Sequence, residues 1–211
     1  MAYDLEEQEQ LDNLKAFWDK YGNTILTAVT VVALAVAAWR GWGWYQQRQA
    51  GAAAALYQEL REAASAKDIE RMKQAAGTIF GEHSGSVYAP LAALGAAKAY
   101  LQAGDAKAAK APLRWAVDHA SDPGLRQTAR LRLAAILLDE KAYDEALSLL
   151  PANETGSFAA LFADRRGDIL LAQGKTDDAR KAYESALKAL PGEPSLQRLI
   201  RLKLDSIAGG A

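Results

Sequence analysis

Charged side chains are absent from a long stretch near the N-terminus, and this gap dominates the pattern of polar and apolar positions. From Tyr21 to Trp39 there is no Asp, Glu, Lys or Arg, and the next charge is Arg40. A helix over residues 22–39 rises about 27 Å at about 1.5 Å per residue, close to the roughly 30 Å of a bilayer core. A few further residues supply the missing length. The pattern predicts one membrane-spanning helix over residues 22–45.

Aromatic residues and one arginine crowd the C-terminal end of this apolar stretch. Trp and Tyr side chains favour the boundary between lipid and water, because each has an apolar ring and a polar edge. An arginine close to that boundary extends its charged end out of the lipid. We therefore expect a membrane-interface anchor made of Trp39, Arg40, Trp42, Trp44 and Tyr45.

Two other interpretations of the apolar stretch stay open. Its Ala and Thr residues make it only moderately hydrophobic, which is compatible with a buried helix of a soluble domain. A cleaved export signal is favoured by the small residues Ala35-Val36-Ala37, although such signals begin with a basic segment. Here residues 1–21 form a leader with six acidic side chains and two lysines. Two lysines before the stretch and two arginines after it leave the membrane orientation undecided by charge.

Beyond the apolar stretch the pattern changes to helices that recur in pairs. Ala109, Ala146 and Ala179 follow predicted turns at spacings of 37 and 33 residues. Small residues at recurring positions let paired helices approach closely, and stacked pairs share one core because a single pair cannot bury its own apolar face. The sequence therefore predicts an all-α fold, with a solenoid of tetratricopeptide-like repeats over residues 90–193.

The middle repeat departs from its neighbours in two places. Gly104 and Gly174 stand at the turns of the first and last units, whereas Lys141 stands at the middle turn. Pro151 is expected to cut the second helix of that unit short, because proline cannot donate a backbone hydrogen bond. These departures leave the shape of the predicted surface open.

Helical segments flank the predicted repeats on both sides. Residues 46–89 are expected to form a linker helix and a degenerate opening helical pair. Residues 194–211 are expected to form a capping helix that solvates the end of the solenoid. Its predicted apolar face comprises Leu196, Leu199, Ile200, Leu204 and Ile207, and its polar face comprises Arg198, Arg201, Lys203 and Asp205.

Composition excludes several kinds of chemistry. The 211 residues include no cysteine, and the two histidines, His83 and His119, lie far apart without an acidic cluster nearby. Disulfides and thiolate metal sites are therefore excluded, and no metal site is expected at either histidine. A net charge of -1 offers no basic field for nucleic acid. Phosphate-binding and nucleophile motifs are absent, so we expect no enzyme activity, cofactor or small-molecule substrate.

A groove is the remaining candidate site. The first helix of each repeated pair is expected to line a concave surface, which such solenoids use for binding. A leucine-rich lining favours an apolar or helical segment of a partner protein. The alternative, that flanking helices of the protein itself cover these leucines, stays open. The predicted groove residues are Leu91, Leu94, Lys98, Leu101, Leu131, Ala135, Leu138, Leu161, Asp164, Asp168 and Leu171.

The whole arrangement resembles the YfgM-type ancillary subunits of the bacterial SecYEG translocon. The resemblance is carried by AFWDKYGN before the apolar stretch, AWRGWGWYQQ at its end, and FAALFADRRGDILLAQGKTDDARKAYESAL in the last repeat. It also includes VYAPLAALGAAKAYLQAGD and ARLRLAAILLDEKAYDEAL, and it extends over almost the whole chain.

This resemblance implies an uncleaved, single-pass protein of the inner membrane, with a cytoplasmic leader and a periplasmic repeat domain. It further implies association with the SecYEG translocon and with a periplasmic, membrane-anchored, isomerase-like chaperone. The expected function is that of a non-enzymatic adaptor that assists folding or trafficking of exported proteins. A scaffold for cell-envelope or division machinery, acting through the same groove, is the alternative.

Overall fold

The computed structural model describes residues 2–190 and 194–208, without the side chains of residues 2–10, 12, 46 and 208. Most acidic side chains of the predicted leader, and the predicted domain boundary at residue 193, lie outside this described part. The described chain divides into two compact units, one up to residue 51 and one from residue 52 onward. The domain limits expected from the sequence stay a prediction.

The described residues are mainly helical and include no strand, which confirms the all-α fold. A short 3₁₀ turn at Gly156–Phe158 precedes α7. In chain order the helices are α1 (Ala2–Ser65), α2 (Ile69–Glu82), α3 (Tyr88–Gln102), α4 (Ala106–His119), α5 (Pro123–Asp139), α6 (Tyr143–Ser148), α7 (Ala159–Ala172), α8 (Thr176–Lys188) and α9 (Pro194–Ala208).

The same turn joins the helices of four successive pairs. Lys67, Gly104, Lys141 and Gly174 adopt left-handed φ angles of 59°, 81°, 62° and 77°. At each turn the N–H of the left-handed residue donates to the carbonyl oxygen three residues earlier, as from Gly174 to Leu171 O at 2.9 Å. The N–H of the next residue donates to the carbonyl oxygen five residues before it. This double hydrogen bond satisfies the free carbonyls at a helix end. The pairs are therefore the end of α1 with α2, α3 with α4, α5 with α6, and α7 with α8.

Lysine fills two turn positions that glycine fills elsewhere. A left-handed conformation costs a residue with a Cβ about 1–2 kcal/mol, so such turns are usually expected at glycine. The sequence therefore does not mark the turns at the two lysines. Lys141 nevertheless gives the middle turn the geometry of its neighbours, with Ala142 N–H bonded to Leu137 O at 2.8 Å. Helix α6, which follows the Lys141 turn, ends at Ser148, so it is short before Pro151 as expected.

Small residues set the spacing within each pair. Ala109, Ala146 and Ala179 are fully buried, which accounts for their recurrence in the sequence. The Tyr183 ring lies directly over Gly167, where an added Cβ would come within 2.5 Å of Tyr183 Cε1. The aromatic side chain thus fills the space that glycine leaves between α7 and α8.

The last helix packs against the α7–α8 pair through most of the expected apolar face, and two residues depart from that expectation. Ile200 and Ile207 are buried against the α7–α8 pair, with Leu196 and Leu204 packed beside them. Leu199 is exposed, so its placement on the buried face is wrong. Lys203 points inward instead, because positions 196, 200, 203 and 207 follow one stripe at the helical period of about 3.6 residues.

Candidate functional site

An apolar helix surface is the first candidate site. Within the described residues one helix is long and apolar enough to cross a membrane, and it lies in Asn13–Ser65. Only 6% of its most apolar window is buried. The interpretation of this stretch as a buried core helix is therefore wrong. Its valines and leucines, from Ile25 to Val36, lie on the surface of α1.

The predicted interface anchor lies at the end of this apolar surface. All five residues, Trp39, Arg40, Trp42, Trp44 and Tyr45, are exposed, Trp39 by 80%. The Trp42 and Tyr45 rings are 6.3 Å apart. A further cation joins them, since the Arg48 guanidinium lies 4.1 Å from the Trp44 ring centroid. The cluster presents aromatic rings and positive charge together, and its role at a membrane surface stays a prediction.

A second aromatic group precedes the apolar stretch and was missed by the sequence reasoning. Phe17, Trp18 and Tyr21 are all exposed on α1, and the Phe17 and Tyr21 rings lie 5.1 Å apart. Trp18 and Trp39 are separated by about 32 Å of helix at about 1.5 Å per residue. This distance matches the roughly 30 Å of a bilayer core, so the two aromatic groups bracket one span. The signal was the recurrence of aromatic residues on both sides of the charge gap.

The predicted groove residues fall into two groups by exposure. Leu94 is buried in the core, and Leu91, Leu131, Ala135 and Leu138 are partly buried. Exposed side chains occur towards the ends of the helices: Lys98, Leu101 at 40%, Leu161 at 36% and Leu171 at 37%. The lining is therefore a discontinuous apolar surface with leucines accessible mainly beside the turns.

Two of the predicted groove residues belong to a polar network with α9. Lys203 Nζ donates to Asp164 Oδ1 and to Asp168 Oδ1, both at 2.7 Å. Tyr183 Oη donates to the same Asp168 oxygen at 2.9 Å. The protein's own last helix thus covers Asp164 and Asp168.

Burial shapes the protonation of this network. Desolvation raises the pKa of Asp164 above its usual range, although the hydrogen bond from Lys203 opposes that rise. Burial also raises the pKa of the Tyr183 hydroxyl, and the carboxylate of Asp168 raises it further. Tyr183 therefore stays a neutral donor. The network is a structural clasp between α7, α8 and α9, with no pair of groups poised for acid–base catalysis.

Arg132 is a functional candidate that the sequence reasoning missed. Its Nη1 donates to the carbonyl oxygen of Leu94 at 3.4 Å, so the guanidinium of α5 lies over α3. Lys98 follows Leu94 by one helical turn, which brings two exposed cations to the seam between α3 and α5. A single arginine in a helix carries no signal of such a contact until the packing of the helices is known.

The described surroundings of His119 are aromatic and backbone groups. The His119 ring stacks on Trp115 at 4.8 Å, and its Nδ1 lies 3.0 Å from the Trp115 carbonyl oxygen. Among the side chains that the structure describes, no group of three or more His, Asp or Glu residues is arranged to hold a metal ion.

A cleft of about 320 Å³ lies beside the shortened helix α6. It is lined by residues of the segment after Pro151 and by α7 and α8, including Phe162, Arg166 and Lys188. Arg166 Nη1 donates to Leu150 O at 2.8 Å, which satisfies a carbonyl at the end of the α6 segment. The arginine is thus engaged by the backbone in this structure.

Comparison with known proteins places the chain among helical-repeat proteins along nearly its entire length. A family model described as a tetratricopeptide repeat-like domain matches residues 15–209. A protein of Neisseria gonorrhoeae named ancillary SecYEG translocon subunit is 31% identical, with 98% of this chain and 100% of the relative covered. A Haemophilus influenzae protein of that name is 32% identical over 98% and 100%. The Escherichia coli protein is 28% identical over 96% and 97%. No solved structure matches the chain.

Proposed function

We propose a function from one premise: the chain belongs to the tetratricopeptide repeat-like family of YfgM-type ancillary SecYEG translocon subunits. On this basis the protein is a non-enzymatic adaptor of the bacterial inner membrane. One helix anchors it in the bilayer, and its repeats bind other proteins near the translocon.

The observation that carries this proposal is the end-to-end similarity to relatives named for the translocon. The similarity covers 98% of the chain and 100% of the Neisseria protein, so both the apolar helix and the repeats are included. The exposed apolar surface of α1 supports a lipid-facing anchor, since apolar side chains are more stable in hydrocarbon than in water.

Orientation and the chaperone partner form the finer part of the proposal. The leader, residues 1–21, lies in the cytoplasm, and the repeats lie in the periplasm. There the groove receives a membrane-anchored, isomerase-like chaperone or an exported chain emerging from the channel. The accessible leucines Leu101, Leu161 and Leu171 support this role, because apolar side chains at repeated positions suit a helical segment.

Affinity purification in mild detergent tests the association. The full-length protein is expected to recover SecY and the periplasmic chaperone, and a variant lacking residues 1–48 is expected to lose SecY. Leu101→Asp with Leu171→Asp, two groove changes, should reduce recovery of the chaperone while SecY is retained. Recovery of division proteins without any channel subunit would contradict the proposal.

Reporter fusions test the orientation separately. Alkaline phosphatase fused after Ala211 is expected to be active, because this enzyme matures only in the periplasm. Activity of a fused fluorescent protein at the same position, with inactive phosphatase, would place the repeats in the cytoplasm and contradict the proposed topology.

A further inference from the structure

Positive charge occurs at two neighbouring registers, three residues apart, along the first helices of the pairs. Six residues before the left-handed residue of each turn stand Arg61, Lys98, Ala135 and Asp168. Nine residues before it stand Gln58, Gly95, Arg132 and Arg165. Equivalent positions in stacked helices lie on the same side of a solenoid, and residues three apart on a helix are neighbours on its surface. We therefore place the cations of both registers on the surface of the predicted groove.

We propose that this cationic row, defined by Arg61, Lys98 and Arg132, binds an acidic amphipathic segment of a partner protein. The inference rests on the proposed adaptor function and specifies the chemistry of its partner. Acidic residues of the segment would meet the cations, and its apolar residues would meet the neighbouring leucines.

The two central cations lie on neighbouring helices and are accessible. The hydrogen bond from Arg132 to Leu94 O, at 3.4 Å, fixes the guanidinium over α3 beside the turn that contains Lys98. Both side chains are exposed. In the part of the chain that the structure describes, neither Lys98 nor Arg132 forms an ion pair with a carboxylate. A partner carboxylate would therefore gain two positive neighbours without displacing an existing ion pair.

Asp168, the acidic residue at one of these registers, and its neighbour Asp164 are already paired with cations. Lys203 binds Asp164 and Asp168 at 2.7 Å each, and Arg165 lies 3.5 Å from the second oxygen of Asp168. Lys203 of α9 thus neutralises the aspartates at the α7 end of the row. The cations on α1, α3 and α5 remain, and they give this part of the surface a positive charge. Such a field speeds the encounter with a negative partner and repels a positive one.

Leucine side chains argue for a protein segment rather than a lipid headgroup. Leu101, 40% exposed, lies one turn beyond Lys98 on α3, and the partly buried Leu138 takes the equivalent position on α5. Cations followed by leucines one turn away match a helix with acidic and apolar residues at alternating turns. A phosphate headgroup alone would leave these leucines without contact.

A pair of synthetic helical peptides tests the inference on the full-length protein in phosphatidylcholine nanodiscs. One peptide carries Leu at helical spacing flanked by Glu, and the other has every Glu replaced by Lys. Fluorescence anisotropy, with empty nanodiscs subtracted, is expected to show binding of the Glu peptide only, weakening as salt is added. Lys98→Glu with Arg132→Glu should weaken binding about tenfold or more.

A matched variant controls for net charge. Lys107→Glu with Arg201→Glu reverses two exposed cations on α4 and α9, outside the row, and should change binding by less than about twofold. Circular dichroism of both variants confirms that the helices are intact. Equal binding of the Lys peptide, or unchanged binding after reversal of Lys98 and Arg132, would overturn the inference.

Two further measurements separate the alternatives. If the Lys98 and Arg132 reversal weakens the binding of phosphatidylglycerol vesicles to the nanodisc-anchored protein while the Glu peptide does not bind, the row recognises lipid and the inference is wrong. Purification of the wild-type protein with SecY is measured in parallel. If the wild-type protein recovers SecY but does not bind the Glu peptide, only this inference is refuted. If the wild-type protein does not recover SecY, the proposed function is refuted.

Discussion

Replacement of Lys203 by methionine tests whether the clasp on Asp164 and Asp168 holds the last helix. Methionine keeps the length and most of the apolar stem of lysine but removes the charge. Asp164 and Asp168 then lose the cation that lies 2.7 Å from each. We expect α9 to loosen from the α7–α8 pair.

The magnitude follows from burial. Loss of one partner of a fully buried ion pair costs about 3–5 kcal/mol, and hydrogen bonds to charged groups contribute about 1.5–3 kcal/mol each. Here the side chains of Lys203, Asp164 and Asp168 are 24%, 13% and 20% exposed to solvent, so water screens part of the interaction. We expect Lys203→Met to lower the free energy of unfolding by about 2–4 kcal/mol.

The effect should depend on pH in a defined direction. Burial raises the folded-state pKa of Asp164 above its unfolded value, so its protonation favours the folded state as the pH falls. Lys203 opposes this rise in the wild type, and its removal lets the pKa of Asp164 rise further. The stability deficit of Lys203→Met should therefore be largest at neutral pH and shrink towards about pH 5.

Urea unfolding of the full-length protein in mild detergent, followed by circular dichroism, measures the deficit, and hydrogen exchange locates it at α9. Lys181→Met is the matched control, because its ion pair with Asp178 is exposed and should contribute less than about 0.5 kcal/mol. Adding Asp164→Asn to Lys203→Met should restore part of the stability by removing the unpaired carboxylate. A deficit equal to that of the control, or one that grows on acidification, would refute the reasoning.

Three further predictions concern the turns, the pair contacts and the membrane span. Gly167→Ala places a Cβ 2.5 Å from Tyr183 Cε1 and should cost about 1–3 kcal/mol in urea unfolding, whereas Gly77→Ala, in open space on α2, should cost nothing. Lys141→Gly should raise stability by up to about 1 kcal/mol because φ is 62° there, and a loss would contradict the proposed strain. Leu34→Arg should reduce the fraction of protein that resists carbonate extraction, unlike Leu34→Ile.

The sequence alone determined the elements whose signal is local. A gap in charge next to clustered tryptophans predicts a membrane span, because lipid excludes charge and its boundary favours aromatic rings. Recurring alanines predict paired helices, since backbones approach closely only where side chains are small. These signals need no knowledge of which helices meet, and the family resemblance drawn from them is confirmed by the full-length similarity.

The tertiary structure decided the features that depend on a residue's partners. Lys67 and Lys141 take left-handed turns that glycine usually marks, so only the hydrogen bonds show that the opening and middle pairs have the same turn as their neighbours. Leu199 and Lys203 exchanged their expected faces, because the buried Asp164 and the partly buried Asp168 on α7 stabilise an inward lysine. The seam of Lys98 and Arg132 likewise joins two helices far apart in sequence. Packing fixed these contacts, because the energy of a charge depends on its neighbours and not on its place in the chain.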